Sequence, residues 1–335
     1  MVQGIRMTLV RSLFLVAACS LPLSIIACGS DDKGTTTPDA TVVTPEGTHY
    51  QYVVSKLEVP VTAKQETDFG LDLGGDRSSA PDGTVDNKLA TLLQLLVDVG
   101  KLPLQDTVNE SVNQGSIILL ADLQTTSFTA AGAAGLSVKF GANPQPPACS
   151  SATDTTCGHH LDGNGSFSIA SSSPASSSVA GSIVGGTLSA GPGNLSVQIA
   201  LGTTAPITLN LVNARVKATA ISETGMTAVI GGELLETELQ TNVFPAVTTQ
   251  IAAIVTRDCT TTTVPDCGCT GTGATLIGFL DKKPADCVIS LDEVANGAFA
   301  AFLLPDVCSR ASCAANMTDA LSLGVKVTAV KATFQ

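Results

Sequence analysis

The chain has no tryptophan, two tyrosines and three histidines in 335 residues. So few aromatics give a sugar-stacking cleft little to work with, and His49, His159 and His160 are the whole supply of imidazole for general-base chemistry. Also missing are the G-x-S-x-G elbow of serine hydrolases, the H-E-x-x-H of zinc proteases and a phosphate-cradling glycine loop. The one S-x-x-K, Ser30 to Lys33, falls in a polar linker. Charged side chains make up 14% of the chain, and acidic residues outnumber basic ones 29 to 17. An acidic surface of this kind argues against nucleic acid and anionic headgroups as partners. Beyond residue 28 no apolar run approaches the roughly 20 residues that span a bilayer.

The most informative stretch is Leu13 to Cys28, LFLVAACSLPLSIIAC. Arg6 and Arg11 precede it, small Ala27 stands before Cys28, and the polar residues Gly29 to Asp32 follow. A basic start, an apolar run of about 14 residues and a small residue at the cut are the parts of an export signal. The run is short for a membrane span and contains Pro22. Residues 1–27 therefore read as a lipoprotein signal peptide, with Cys28 as the lipidated first residue of the exported chain. The earlier Val16-Ala17-Ala18-Cys19 would leave too short an apolar run after Arg11. At about 0.8 kcal/mol per buried methylene, two or three acyl chains hold a protein on a membrane. The expected location is the cell envelope, at the outer membrane, with the lipid as the membrane contact. Removing residues 1–27 takes two basic and no acidic residues, leaving a net charge of about −14. Residues 28–48 form the lipidated cysteine and a polar tether too poor in apolar side chains to fold.

Eight further cysteines, Cys149, Cys157, Cys259, Cys267, Cys269, Cys287, Cys308 and Cys313, suit an oxidising compartment. Proximity favours Cys149 with Cys157 and Cys308 with Cys313; spacing does not choose among the other four. Cysteines in an exported chain normally pair, which disfavours zinc at Cys149, Cys157, His159 and His160.

Residues 49–335 predict a mainly β fold with a few helices, an antiparallel meander or sandwich linked by disulfides. Period-two alternation marks strands at Leu136, Val138 and Phe140, at Leu195 to Leu211 and at Val216 to Ile230, and Leu321 to Phe334 is the strand expected to close the sheet. Leu89, Leu92, Leu93, Leu96 and Val97 predict a helix, with Asp86 available as its cap, and Gly232 to Thr256 predicts another broken at Pro245. A cysteine-rich subdomain is expected over 257–320.

Two acidic loops are candidate calcium sites. Asp72, Asp76, Asp82 and Asp86 lie among glycines, oxygen ligands on a backbone able to bend round one ion. Residues 281–293 resemble an EF-hand loop. Counted back from Glu293 as its last position, Ile289 is the apolar eighth, Asp286 the fifth, and Cys287 replaces the usual turn glycine, while Asp281 comes one residue early and Lys282, Lys283 and Pro284 replace ligands. Ser290 to Glu293 also reads as a helix capping box.

The signal stretch resembles those of bacterial lipoproteins. Asp82-Gly83-Thr84-Val85-Asp86-Asn87-Lys88-Leu89-Ala90, the loop Asp286 to Glu293 and the closing Leu321 to Phe334 resemble cell-surface lipoproteins of gliding, predatory soil bacteria, a likeness that implies no particular activity. The expectation is a lipid-anchored binding or structural surface module, stabilised by calcium. The alternative is an exported hydrolase using paired carboxylates.

Overall fold

Leu119, Ala121 and Leu123 on one strand and Leu136, Val138 and Phe140 on the next repeat an apolar side chain at every second position, and all six face one core. Polar Asp122, Gln124, Ser137 and Lys139 alternate with them on the opposite face. The structure, a computed structural model, describes residues 44–74, 84–98, 101–151, 153–154, 157–200, 205–264, 267–282, 285–297, 300–309 and 317–335. Its strands are β1 (Thr48–Glu58), β2 (Leu119–Thr125), β3 (Gly132–Gln145), β4 (Gly165–Ile169), β5 (Ser178–Val184), β6 (Thr187–Ile199), β7 (Ile207–Ser222), β8 (Gly225–Leu235) and β9 (Ala320–Phe334).

Eight of these form an antiparallel circuit, β1–β2–β3–β5–β6–β7–β8–β9, that returns to β1. The sheet is thus a closed barrel, and the expected meander is closed by β9, which pairs with both β8 and β1. An eight-stranded barrel is just wide enough for side chains to fill. Here Tyr52, Leu123, Leu136, Ile183 and Leu188, none more than 2% exposed, belong to one continuous apolar cluster. Polar residues face outward from the wall, among them Gln198, Asn210, Lys217, Thr227 and Lys326. Membrane-spanning barrels have the reverse arrangement, with an apolar outer band. A smaller cluster, Val53, Ile118, Leu120, Phe167, Ala332 and Phe334, lies on the other face of the wall from the core. There β4 joins the ends of β3 and β9.

Strand directions sort the connections into two ends. Short connections join β2 to β3, β5 to β6 and β7 to β8 at the end where β1 begins, the last two being two-residue turns, with Gly185 and Gly186 both at positive φ in the turn from β5 to β6. The long insertions leave from the opposite end. Between β1 and β2 come α1 (Ala63–Asp68), α2 (Leu89–Asp98) and α3 (Leu104–Asn113). Between β8 and β9 come the single turn α4 (Glu236–Glu238), a π-helical turn (Leu239–Val243), α5 (Phe244–Asp258), α6 (Gly271–Leu280) and α7 (Leu291–Asn296). Leu92, Leu96, Val108, Ile251, Leu280 and Val294 bring this helical cap into the same core.

The helix expected over Gly232 to Thr256 begins late. Gly232 to Leu235 pair with Leu323 to Ala320 and belong to β8, because the ladder satisfies backbone groups that a helix start would leave open. Pro245 does not break the helix that follows. It is the second residue of α5, and the π-helical turn just before it is where the run adjusts to the missing N–H.

Where β1 ends at Glu58, opposite Lys326, side chains take over the exposed edge of β9. The Asn87 carboxamide accepts from the Gly324 N–H (2.8 Å) and donates to the Gly324 carbonyl (3.3 Å) and to the Glu66 carbonyl (3.1 Å). Asp306 likewise accepts from the Ser322 N–H (2.8 Å) and hydroxyl (2.6 Å). One amide and one carboxylate thus do for β9 what two more residues of β1 would have done.

Candidate functional site

The loop after α6 combines several of the expected features. Cys287 lies at φ 66, the left-handed conformation that the turn glycine of an EF-hand supplies. Asp281 and Glu293, each 6% exposed, are buried beside the loop backbone. Asp281 accepts from the backbone N–H groups of Asp286 (2.9 Å) and Cys287 (2.8 Å), so its early position still serves the turn. Glu293 Oε1 accepts from the Lys282 N–H (2.9 Å), and Oε2 from the N–H and hydroxyl of Ser290 (both 2.9 Å). Ser290 in turn caps α7, so the expected capping box is complete. Asp286, by contrast, is exposed. The carboxylates therefore hold the loop's own amides in place.

The first acidic loop docks on the barrel wall. Asp72 Oδ1 accepts from the Gly74 N–H (2.8 Å), closing a turn, and Asp86 Oδ2 accepts from the Leu73 N–H (2.9 Å). Asp76 and Asp82 lie outside the described residues, as does Cys28. The wall beneath is smooth because Gly231 and Gly324 face each other across β8 and β9. A methyl on Gly231 would press on the Leu71 side chain at 3.2 Å, and one on Gly324 would overlap the Phe69 carbonyl.

Beside these glycines lies a polar cluster that sequence reasoning missed. Glu233 is 1% exposed. Its Oε1 accepts from Asn213 Nδ2 (2.6 Å), while Oε2 is buried and has no hydrogen-bond partner. Asn213 Nδ2 and Arg215 Nη2 both donate to the Leu73 carbonyl (3.1 and 3.2 Å). Burial, with the nearby charges of Asp319 and Asp86, pushes the Glu233 carboxyl up to about 7, against the opposing pull of Asn213 and Arg215. The signal available in the sequence was a lone acid next to a glycine pair in an otherwise apolar strand.

No family model, curated protein or solved structure matches the chain. The site is therefore read on its own geometry. The two disulfides that spacing left open are Cys259 with Cys269 and Cys267 with Cys287, and Cys149 pairs with Cys157 as expected. Cys308 is disulfide-bonded, and Cys313 lies outside the described residues. Cys267, Cys287 and Asp281 come together closely enough to hold a metal, but the two sulfurs are already bonded to each other. Next to them Val255, Cys259, Cys287 and Ile289 line a pocket of about 460 Å³ rimmed by Thr256 and Thr260 to Thr262.

His159 pairs with Asp162 at 2.7 Å, whereas His160 is fully buried, with no hydrogen bond of good geometry to either ring nitrogen and its ring edge-on to Phe167. Burial holds its pKa below 6.5, with the Val112 carbonyl and Asp162 acting the other way. For paired-carboxylate hydrolysis the notable acid is Glu233, which Asn213 links to the Leu73 carbonyl of the Phe69–Gly74 segment.

Proposed function

We propose that the chain is an exported, lipid-tethered surface module, a rigid barrel that presents its helical cap for binding or for structural contacts in the cell envelope. The observation that carries this reading is the division of the barrel into two ends. The chain enters β1 at the end of short connections, while the helical insertions after β1 and after β8 emerge at the other. In a protein tethered through Cys28, the cap is then the end least obstructed by the membrane. Disulfides at Cys259–Cys269 and Cys267–Cys287 brace that cap and suit an oxidising compartment. The filled interior favours a scaffold over a carrier of small molecules.

Replacing Cys28 tests the anchor. Cys28→Ser is expected to move the folded protein from the membrane to the soluble fraction, or to leave it unprocessed with residues 1–27 attached. Wild-type protein that fractionates as soluble, or a variant retained as mature protein, contradicts the reading.

Calcium at the 281–293 loop is a second reading, supported by the left-handed Cys287 and the buried pair Asp281 and Glu293. A site a thousandfold saturated adds about 4 kcal/mol to stability. The melting temperature is then expected to rise by several degrees in millimolar calcium over excess chelator, and Glu293→Gln to abolish the rise. Coincident melting curves remove calcium from the account.

A further inference from the structure

We propose that Glu233 is a proton-operated latch for the strap Phe69–Gly74. When protonated it lets Asn213 and Arg215 hold the Leu73 carbonyl on the barrel wall, and when ionised it loosens that hold. The strap rests on Gly231 and Gly324, where the wall has no side chains to grip. Buried Phe69 and Leu73 hold its two ends by apolar contact, and polar bonds fix its register: the Leu73 carbonyl takes both Asn213 Nδ2 and Arg215 Nη2, and the Leu73 N–H donates to Asp86. Asn213 also donates to Glu233, so one side chain ties the latch to the strap.

Among the described residues, the charged groups facing Glu233 are Arg215 from β7, Asp86 from the segment before α2 and Asp319 from the approach to β9. Burial is the largest influence on Glu233 and its Oε2 has no donor to replace water, so the ionised form is poorly compensated. Opening the strap hydrates the carboxylate and removes this cost. The closed state therefore binds the proton more tightly than the open one, and closure weakens as pH rises.

A carboxyl that titrates near pH 7 when closed and near 4.5 when hydrated makes opening about 30-fold easier between about pH 5.5 and 8.5. Native-state hydrogen exchange on the full oxidised chain reads this directly. The protection factors of the Leu73 and Asp86 amides are expected to fall by that ratio over the window, while those of β6 and β7 stay level. In Glu233→Gln, which keeps the bond to Asn213 but cannot ionise, the fall should vanish. An equal fall in the variant, or none in the wild type, overturns the latch. Titrating the Glu233 carboxyl carbon by NMR in the unaltered chain provides an arm that does not depend on the variant folding. A midpoint near 4.5 overturns the proposal, and one near 7 supports it.

Discussion

His160 and Glu233 are both buried without full hydrogen bonding, and they tilt stability in opposite directions with pH. The His160 pKa is lowered in the folded state, so the unfolded chain takes the proton first. Its contribution to stability is full above pH 6.5 and is lost as pH falls through the lower folded value. His160→Phe should flatten this acid-side slope, and it should cost little at neutral pH because it removes an unsatisfied polar ring from an apolar site. Urea midpoints at about pH 7.5 and 5 check it; an unchanged slope in the variant assigns the acid loss to other groups. For Glu233 the folded value is raised, so its contribution is full below 4.5 and is lost as pH rises toward 7, about 3 kcal/mol in all if unfolding hydrates it completely. Glu233→Gln should therefore be the more stable protein at pH 8 and lose that advantage at pH 5.

Among the elements, the strap Phe69–Gly74 and Asn87 just before α2 illustrate how local sequence and distant wall cooperate. Asn87→Ala leaves the Gly324 N–H and carbonyl without the side chain that pairs them, and a loss of about 2 to 4 kcal/mol is expected by chemical denaturation. Gly324→Ala should cost a similar amount, because its methyl displaces the Phe69 carbonyl. If either variant unfolds at the wild-type midpoint, the strap does not seal the edge of β9.

Much of this level was legible in the sequence. The alternation through Leu136, Val138 and Phe140 gave β3, and the leucines at 89, 92, 93 and 96 gave α2, because each signal is local and periodic. Gly232 to Leu235 misled because Glu233-Leu234-Leu235-Glu236 fits a helix as well as a strand, and only the partner β9 decides. The pairing of Cys259 with Cys269 depends on how α5 and α6 bring two extended residues opposite each other, which spacing does not encode. Glu233 escaped notice for the same reason: its hydrogen-bond partner Asn213 stands on another strand, and the Leu73 carbonyl that Asn213 also holds is remote in sequence.

At the scale of the whole molecule, closure of the barrel ties the first strand to the last and places the helical cap on the same core, so cap and barrel should unfold together. Removing Cys267 and Cys287 jointly, as the double serine variant, should lower stability by about 3 kcal/mol in the chain-entropy account without uncoupling the cap. Separate unfolding transitions for α5 to α7 and for the strands would show the cap to be a subdomain of its own.

The proposed lipid anchor would join fold to role, and the mass of the N-terminal peptide of the native protein, extracted from membranes with detergent, tests it most directly. The account predicts a chain that begins at Cys28 and carries the mass of its acyl chains. A chain that begins elsewhere, or an unmodified Cys28, would contradict it.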